Sequence, residues 1–173
     1  MSTLHVENLK GLSSGGNANK VILSSDQTLY APGHIVQVLT QEITAITTTS
    51  SNSAVASGFT LTITPKSASS KIKTAVGMNG IYMSAQNTAM QMYIYKNGSF
   101  LDFLDDVAGY GITGQNPNQN ANPTHIYVDS PNTTSATTYA IFISVQSGTL
   151  GFNNYATGNN RTRSWFTVEE IAQ

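Results

Sequence analysis

Residues 59–64 read FTLTIT. Phe59, Leu61 and Ile63 alternate with Thr60, Thr62 and Thr64. That period of two puts three apolar side chains on one face of an extended strand, whereas a helix would scatter them around its axis. Pro65 follows and has no N–H to give to a ladder, so it ends the strand. The same period returns in "TAMQMYIYKNGSFLDF" and "TTYAIFISV". In the first, Met90, Met92 and Ile94 share one face and Tyr93 and Tyr95 the other; Asn97 and Gly98 between the two halves supply the positive φ of a type I′ hairpin. In the second, Tyr139, Ile141, Ile143 and Val145 line one face. "KIKTAVGMNGIYMS" reads as one further strand, bent at Gly77 or Gly80. "SWFTVEEIAQ" closes the chain, with Trp165 expected to pack in the core or at a subunit contact and with Glu169 and Glu170 breaking its apolar pattern. No stretch carries a helical stripe. About eight to ten short strands separated by turn signals predict an all-β protein, a jelly-roll-like antiparallel β-sandwich.

Composition bounds what such a sandwich can touch. Charged residues are 10% of the 173, far below the usual quarter, and the net charge is −1. Ser, Thr, Asn and Gln together exceed a third of the chain, which fits Thr-rich solvent faces. Eight Lys and Arg cannot build a nucleic-acid footprint or a polybasic membrane site. No apolar run is long enough to span a bilayer, so no membrane insertion is expected. The absence of cysteine removes disulfides, thiol nucleophiles and thiolate zinc sites. "MSTLHVENLKGLSS" lacks an apolar signal core, so folding in a cytoplasm is expected.

The chain divides at Gly33. Residues 1–33 read as an N-terminal arm: two short apolar patches, Leu4, Val6 and Leu9 and then Val21, Ile22 and Leu23, flank the flexible "GLSSGGNANK". Two such patches cannot bury each other. They need a partner or sister subunits, failing which the segment is a loose tail. "TLYAPG" turns into the head domain, residues 34–173.

Taken together, "STLHVENL", "TLYAPGHIVQV", "LTITPKSASSKI", "YIYKNGSFL", "YVDSPNTTSATTYAIFISVQSG" and "FTVEEIAQ" resemble segments of small tail-fibre-like or structural virion proteins of marine tailed bacteriophages, of cyanophage type. The resemblance covers nearly the whole chain and carries no catalytic motif. It implies an arm docked to other virion proteins and a β-rich head, commonly a homotrimer, in a particle assembled in the host cytoplasm. Against it, Glu169 and Glu170 make the closing strand less apolar than full burial at a subunit axis requires.

Chemistry is sparse. His5, His34 and His125 are far apart, and no nucleophile motif accompanies them, so no enzyme is expected and no catalytic residue is assigned. "LDFLDD" holds Asp102, Asp105 and Asp106, but its spacing is not that of a calcium loop; a solvated acidic loop after the hairpin is the simpler account, and no metal or other cofactor is assigned. With Asp129 these could in principle form a carboxylate pair. Host-surface glycan or protein contact has a better basis in aromatic and uncharged polar residues of two loop regions: Tyr110, Asn116, Asn118 and Asn120, and Tyr155, Asn159 and Asn160. Turn formation alone also explains Asn there. Three roles stay open: a tail-fibre-like protein contacting a host, a capsid decoration or head-fibre protein, and a free lectin-like module.

Overall fold

The computed structural model describes residues 13–15, 29, 31–109, 122–153 and 162–173, and of 107–109 the backbone only. The six arm residues singled out above, and all seven loop residues proposed for host contact, lie outside the described residues. Within them are eleven strands and no helix: β1 Ile35–Ile43, β2 Thr47–Thr49, β3 Val55–Ile63, β4 Lys71–Gly77, β5 Tyr82–Met83, β6 Thr88–Lys96, β7 Ser99–Gly109, β8 Thr124–Asp129, β9 Thr137–Val145, β10 Leu150–Phe152 and β11 Ser164–Ile171. Every pairing is antiparallel.

Eight longer strands make two four-stranded sheets, β1-β11-β4-β8 and β3-β9-β6-β7. Numbered among themselves they run 1-8-3-6 and 2-7-4-5, the order of a jelly roll, in which each strand crosses from one sheet to the other except at the β6–β7 hairpin. The three short strands lie in the β1–β3, β4–β6 and β9–β11 connections and form a third sheet, β2-β10-β5. Antiparallel order puts these three connections at one end of the sandwich, where β7 also finishes and β8 begins. The start of β1 and the finish of β11 are at the other end.

The alternation read from sequence sets the core. Phe59, Ile63, Met90, Met92, Ile94, Tyr139, Ile141 and Ile143 point between the sheets and are buried. Phe59 packs its ring 6.1 Å from both Phe152 and Phe166, which joins the three sheets at one point. Each such side chain, fully buried, contributes about 1.5–3 kcal/mol. The hairpin turns at Asn97 (φ 50°) and Gly98 (φ 80°), as a type I′ turn requires.

Two expectations change. "LDFLDD" is no loop: it lies inside β7, an edge strand that can leave charged side chains in water. "KIKTAVGMNGIYMS" is two strands in different sheets, since β4 stops at Gly77 and β5 joins β10. The two glutamates of β11 take opposite sides of its sheet. Glu169 faces out and pairs with Lys73 at 2.8 Å. Glu170 faces in, fully buried, and accepts hydrogen bonds from Lys66 N (2.7 Å), Ser67 N (3.3 Å) and Gln37 Nε2 (2.6 Å). Backbone donors from the β3–β4 turn thus replace the water a buried carboxylate loses.

Candidate functional site

The two ends of the sandwich differ in kind. At one, Gly33 N donates to Ala172 O (2.8 Å) and Ala172 N to His34 O (2.9 Å), so the chain enters the head beside the residue where it leaves. The Ala31–His34 turn closes with a 2.9 Å hydrogen bond, as the "YAPG" corner leads one to expect. At the other end, Asn153 (φ 57°) is fully buried and acts as a hub. Its Nδ2 donates to Ile43 O (2.7 Å) and Ala45 O (3.1 Å), and its Oδ1 accepts from Ser164 Oγ (2.8 Å). Its backbone N–H donates to Asn79 O (2.8 Å), whose Nδ2 bonds Arg163 O. Gly80 N donates to Asn122 Oδ1 (2.9 Å) and Met78 N to Pro123 O (3.0 Å). These bonds gather Asn122, Asn153 and Arg163, which flank the two loop regions holding Tyr110 to Asn120 and Tyr155 to Asn160. Only the flanks are among the described residues.

The two outer faces differ too. On β1-β11-β4-β8 the outward rows run Val38, Glu169, Lys73, Val128, then Thr40, Thr167, Ala75, Ile126, then Glu42, Trp165, Gly77, Thr124. Ile126 is 63% exposed, Val38 51% and Val128 50%. Trp165 is half-buried because its indole lies across Gly77, where a Cβ would stand 2.6 Å from Nε1. It therefore packs on this outer face and not in the core. The exposed aliphatics stand on the two edge strands, with the Lys73–Glu169 pair between Val38 and Val128 and Arg163 3.5 Å from Glu42.

On β3-β9-β6-β7 the outward positions are Ala56, Thr60 and Thr62, then Thr138, Ala140, Phe142 and Ser144, then Ala89, Gln91, Tyr93 and Tyr95, then Phe100, Phe103 and Asp106. No aliphatic side chain larger than alanine is among them. Five rings form one cluster. Tyr95 stacks on Phe142 at 4.0 Å, Tyr93 meets Phe103 edge-on at 5.4 Å, and Phe100 lies 6.0 Å from Tyr95 and 6.3 Å from Tyr93. Phe100 is 58% and Phe103 43% exposed. Beside the rings, Gln91 Oε1 accepts from the Tyr93 hydroxyl (2.9 Å) and Ser144 Oγ (3.1 Å). The alternation of "MQMYIY" already put Tyr93 and Tyr95 on one face. What it could not show is that Phe100, Phe103 and Phe142 join them, because that depends on the pairing of three strands.

The carboxylates named from sequence separate. Asp129 lies between the sheets, accepting from Lys96 Nζ (2.9 Å) and the Tyr139 hydroxyl (2.6 Å). Burial and that bond push the Tyr139 hydroxyl far above its ordinary range. Burial, then Asp102 and Asp129, also raise Tyr127. Asp105 pairs with His125 Nε2 at 2.8 Å, joining β7 to β8 across the sandwich edge. Asp102 and Asp106 are exposed and bond no metal-ligating neighbour; among the described residues no three His, Asp or Glu gather as a metal set.

No family model matches the chain, and no curated protein does. Solved structures of infectious bursal disease virus are similar at low identity. For its VP2 subviral particle the TM-score is 0.47 and identity 13%, over 91% of this chain and 38% of that one. For particles described as infectious bursal virus derived T=1, the TM-score is 0.42 and identity 11%, over 91% and 46%. For the Gt strain structure they are 0.40 and 12%, over 88% and 46%. This chain thus spans less than half the length of each. The jelly-roll assignment rests on strand order, and the chemistry of the faces on the residues above.

Proposed function

We propose that this chain is a non-enzymatic structural protein of a virus particle, tail-fibre-like, in which residues 1–33 dock to other virion proteins and the head projects to contact a host surface. The supporting observation is the polarity of the jelly roll. Chain entry and exit share one end, held by the Gly33–Ala172 and Ala172–His34 bonds, and the accessory sheet occupies the other. An arm that anchors at the first end leaves the second pointing away.

The same reading includes a homotrimer packed through the aliphatic face of β1-β11-β4-β8. Val38, Ile126 and Val128 are large apolar groups in water, and the Lys73–Glu169 and Arg163–Glu42 pairs set opposite charges beside each other on the same face. Copies packed side by side through this face bring their arms together at one end, where the patches of Leu4 to Leu9 and Val21 to Leu23 can bury one another.

Deletion of residues 1–33 tests the reading. The expected result is a folded head absent from purified particles. Normal occupancy of particles by the deleted form would overturn it. Gold labelling with a head-specific antibody then separates tail from capsid: label confined to the tail supports host contact, and label over the shell makes the protein a capsid decoration.

A further inference from the structure

We infer that the aromatic face of β9, β6 and β7 is a binding surface for a neutral carbohydrate chain built of pyranose rings. That this glycan belongs to a host envelope rests on the proposed function; the binding itself does not.

Phe100 and Phe103 expose rings that the fold does not bury, on a strand whose inward Leu101 and Leu104 already serve the core. The polarised C–H groups of a pyranose carry partial positive charge and are attracted to the negative face of such a ring. Sugar hydroxyls need donors and acceptors at the ring edges. Gln91, the Tyr93 hydroxyl and Asp106 stand there, Asp106 directly opposite Gln91. Gln91 Nε2 has no partner among the described residues and is not a buried atom, so it keeps donors for a ligand. From Phe142 on β9 to Phe103 on β7 the cluster spans two strand spacings, about 10 Å, room for more than one sugar ring.

Other ligands fit less well. Single-stranded nucleic acid also stacks on aromatic rings, but it needs a basic groove, and the exposed charges along β7 are Asp102 and Asp106. The lysine of β6, Lys96, is tied to Asp129 between the sheets. A lipid surface would want large aliphatic and basic residues, and the outward positions have no aliphatic larger than alanine and no Lys or Arg. The two aspartates likewise disfavour acidic sugars by like-charge repulsion.

The test uses the full chain on a printed array of neutral, amino and uronic-acid oligosaccharides, with the strongest responders titrated in solution. The expected result is binding of neutral pyranosides. Phe100→Ala with Phe103→Ala should weaken it at least about tenfold, as loss of ring stacking predicts. Gln91→Leu, which keeps every ring, should weaken it several-fold, and Thr134→Ala in the exposed β8–β9 connection, on neither face, should leave it unchanged. Melting temperatures confirm that each variant is folded. Absence of binding by the unaltered chain, undiminished binding by both aromatic-face variants, or capture of a host protein in place of any glycan would overturn the inference. Particle occupancy of the Phe100→Ala/Phe103→Ala variant stays normal in either case, so failure here is distinct from failure of the anchoring role.

Discussion

The sandwich has two outer faces built from the same number of strands, and they solve the problem of exposure differently. The β1-β11-β4-β8 face leaves Val38, Ile126 and Val128 in water around one Lys–Glu pair. The β3-β9-β6-β7 face leaves Phe100 and Phe103 in water among Thr, Gln and Ser. Aliphatic side chains gain only by exclusion of water, which suits a flat surface of the same kind, such as another copy. Rings offer a directional quadrupole and Gln91 offers hydrogen bonds, which suits a ligand with apolar patches and hydroxyls. On the proposed reading one face serves assembly and the other recognition.

The contrast is most sharply broken by charge on the aliphatic side. Val38→Asp with Ile126→Asp should convert the proposed trimer to single chains, read as a threefold fall in mass by light scattering; a mass unchanged by the substitutions would overturn that contact. Gly77→Ala comes next. Its new Cβ would stand 2.6–2.9 Å from the Trp165 indole, so the ring must leave its bed on β4. The expected loss is about 1–3 kcal/mol, measured by denaturant midpoint.

A third test addresses what holds the sheets together behind both faces. Tyr139 ionises ordinarily near 10.0, and its buried hydroxyl is raised well above that. Its stabilising contribution is therefore complete below pH 10 and falls as pH rises beyond it, because the unfolded chain then releases a proton that the folded chain retains. The melting temperature should drop progressively above about pH 10, and Tyr139→Phe should flatten that drop. The same variant loses about 1 kcal/mol at neutral pH, where Asp129 keeps Lys96 but lacks its second donor. The smallest effect is expected at Phe100→Ala: about 1 kcal/mol or less in stability, since the ring packs only on Tyr93 and Tyr95 at the surface. A loss of 3 kcal/mol or more, of the order seen for core phenylalanines, would mean the aromatic cluster is structural.

Much of the fold was legible because alternation is local. Phe59 and Ile63, Met90 to Ile94, and Tyr139 to Val145 point inward as their spacing requires, and Asn97–Gly98 makes the turn its positive φ demands. The acidic run misled because composition alone looks like a loop; only its position on a sheet edge makes a charged strand tolerable. The partners of buried Glu170 were illegible for a related reason. Its donors, Lys66 N and Ser67 N, come from more than 100 residues earlier. The seven loop residues singled out from sequence lie outside the described residues, and the aromatic face was not legible because it is assembled from three strands.

Sequence by itself therefore determined the period, the turn and which side of each strand meets the core, since these depend on neighbours two to four residues apart. Tertiary structure alone decided that Phe142 of β9, Tyr93 and Tyr95 of β6 and Phe100 and Phe103 of β7 share one surface, while Val38 and Ile126 share the other. Strand order and register set those groupings, and both come from pairing residues far apart in the chain, which no local pattern encodes.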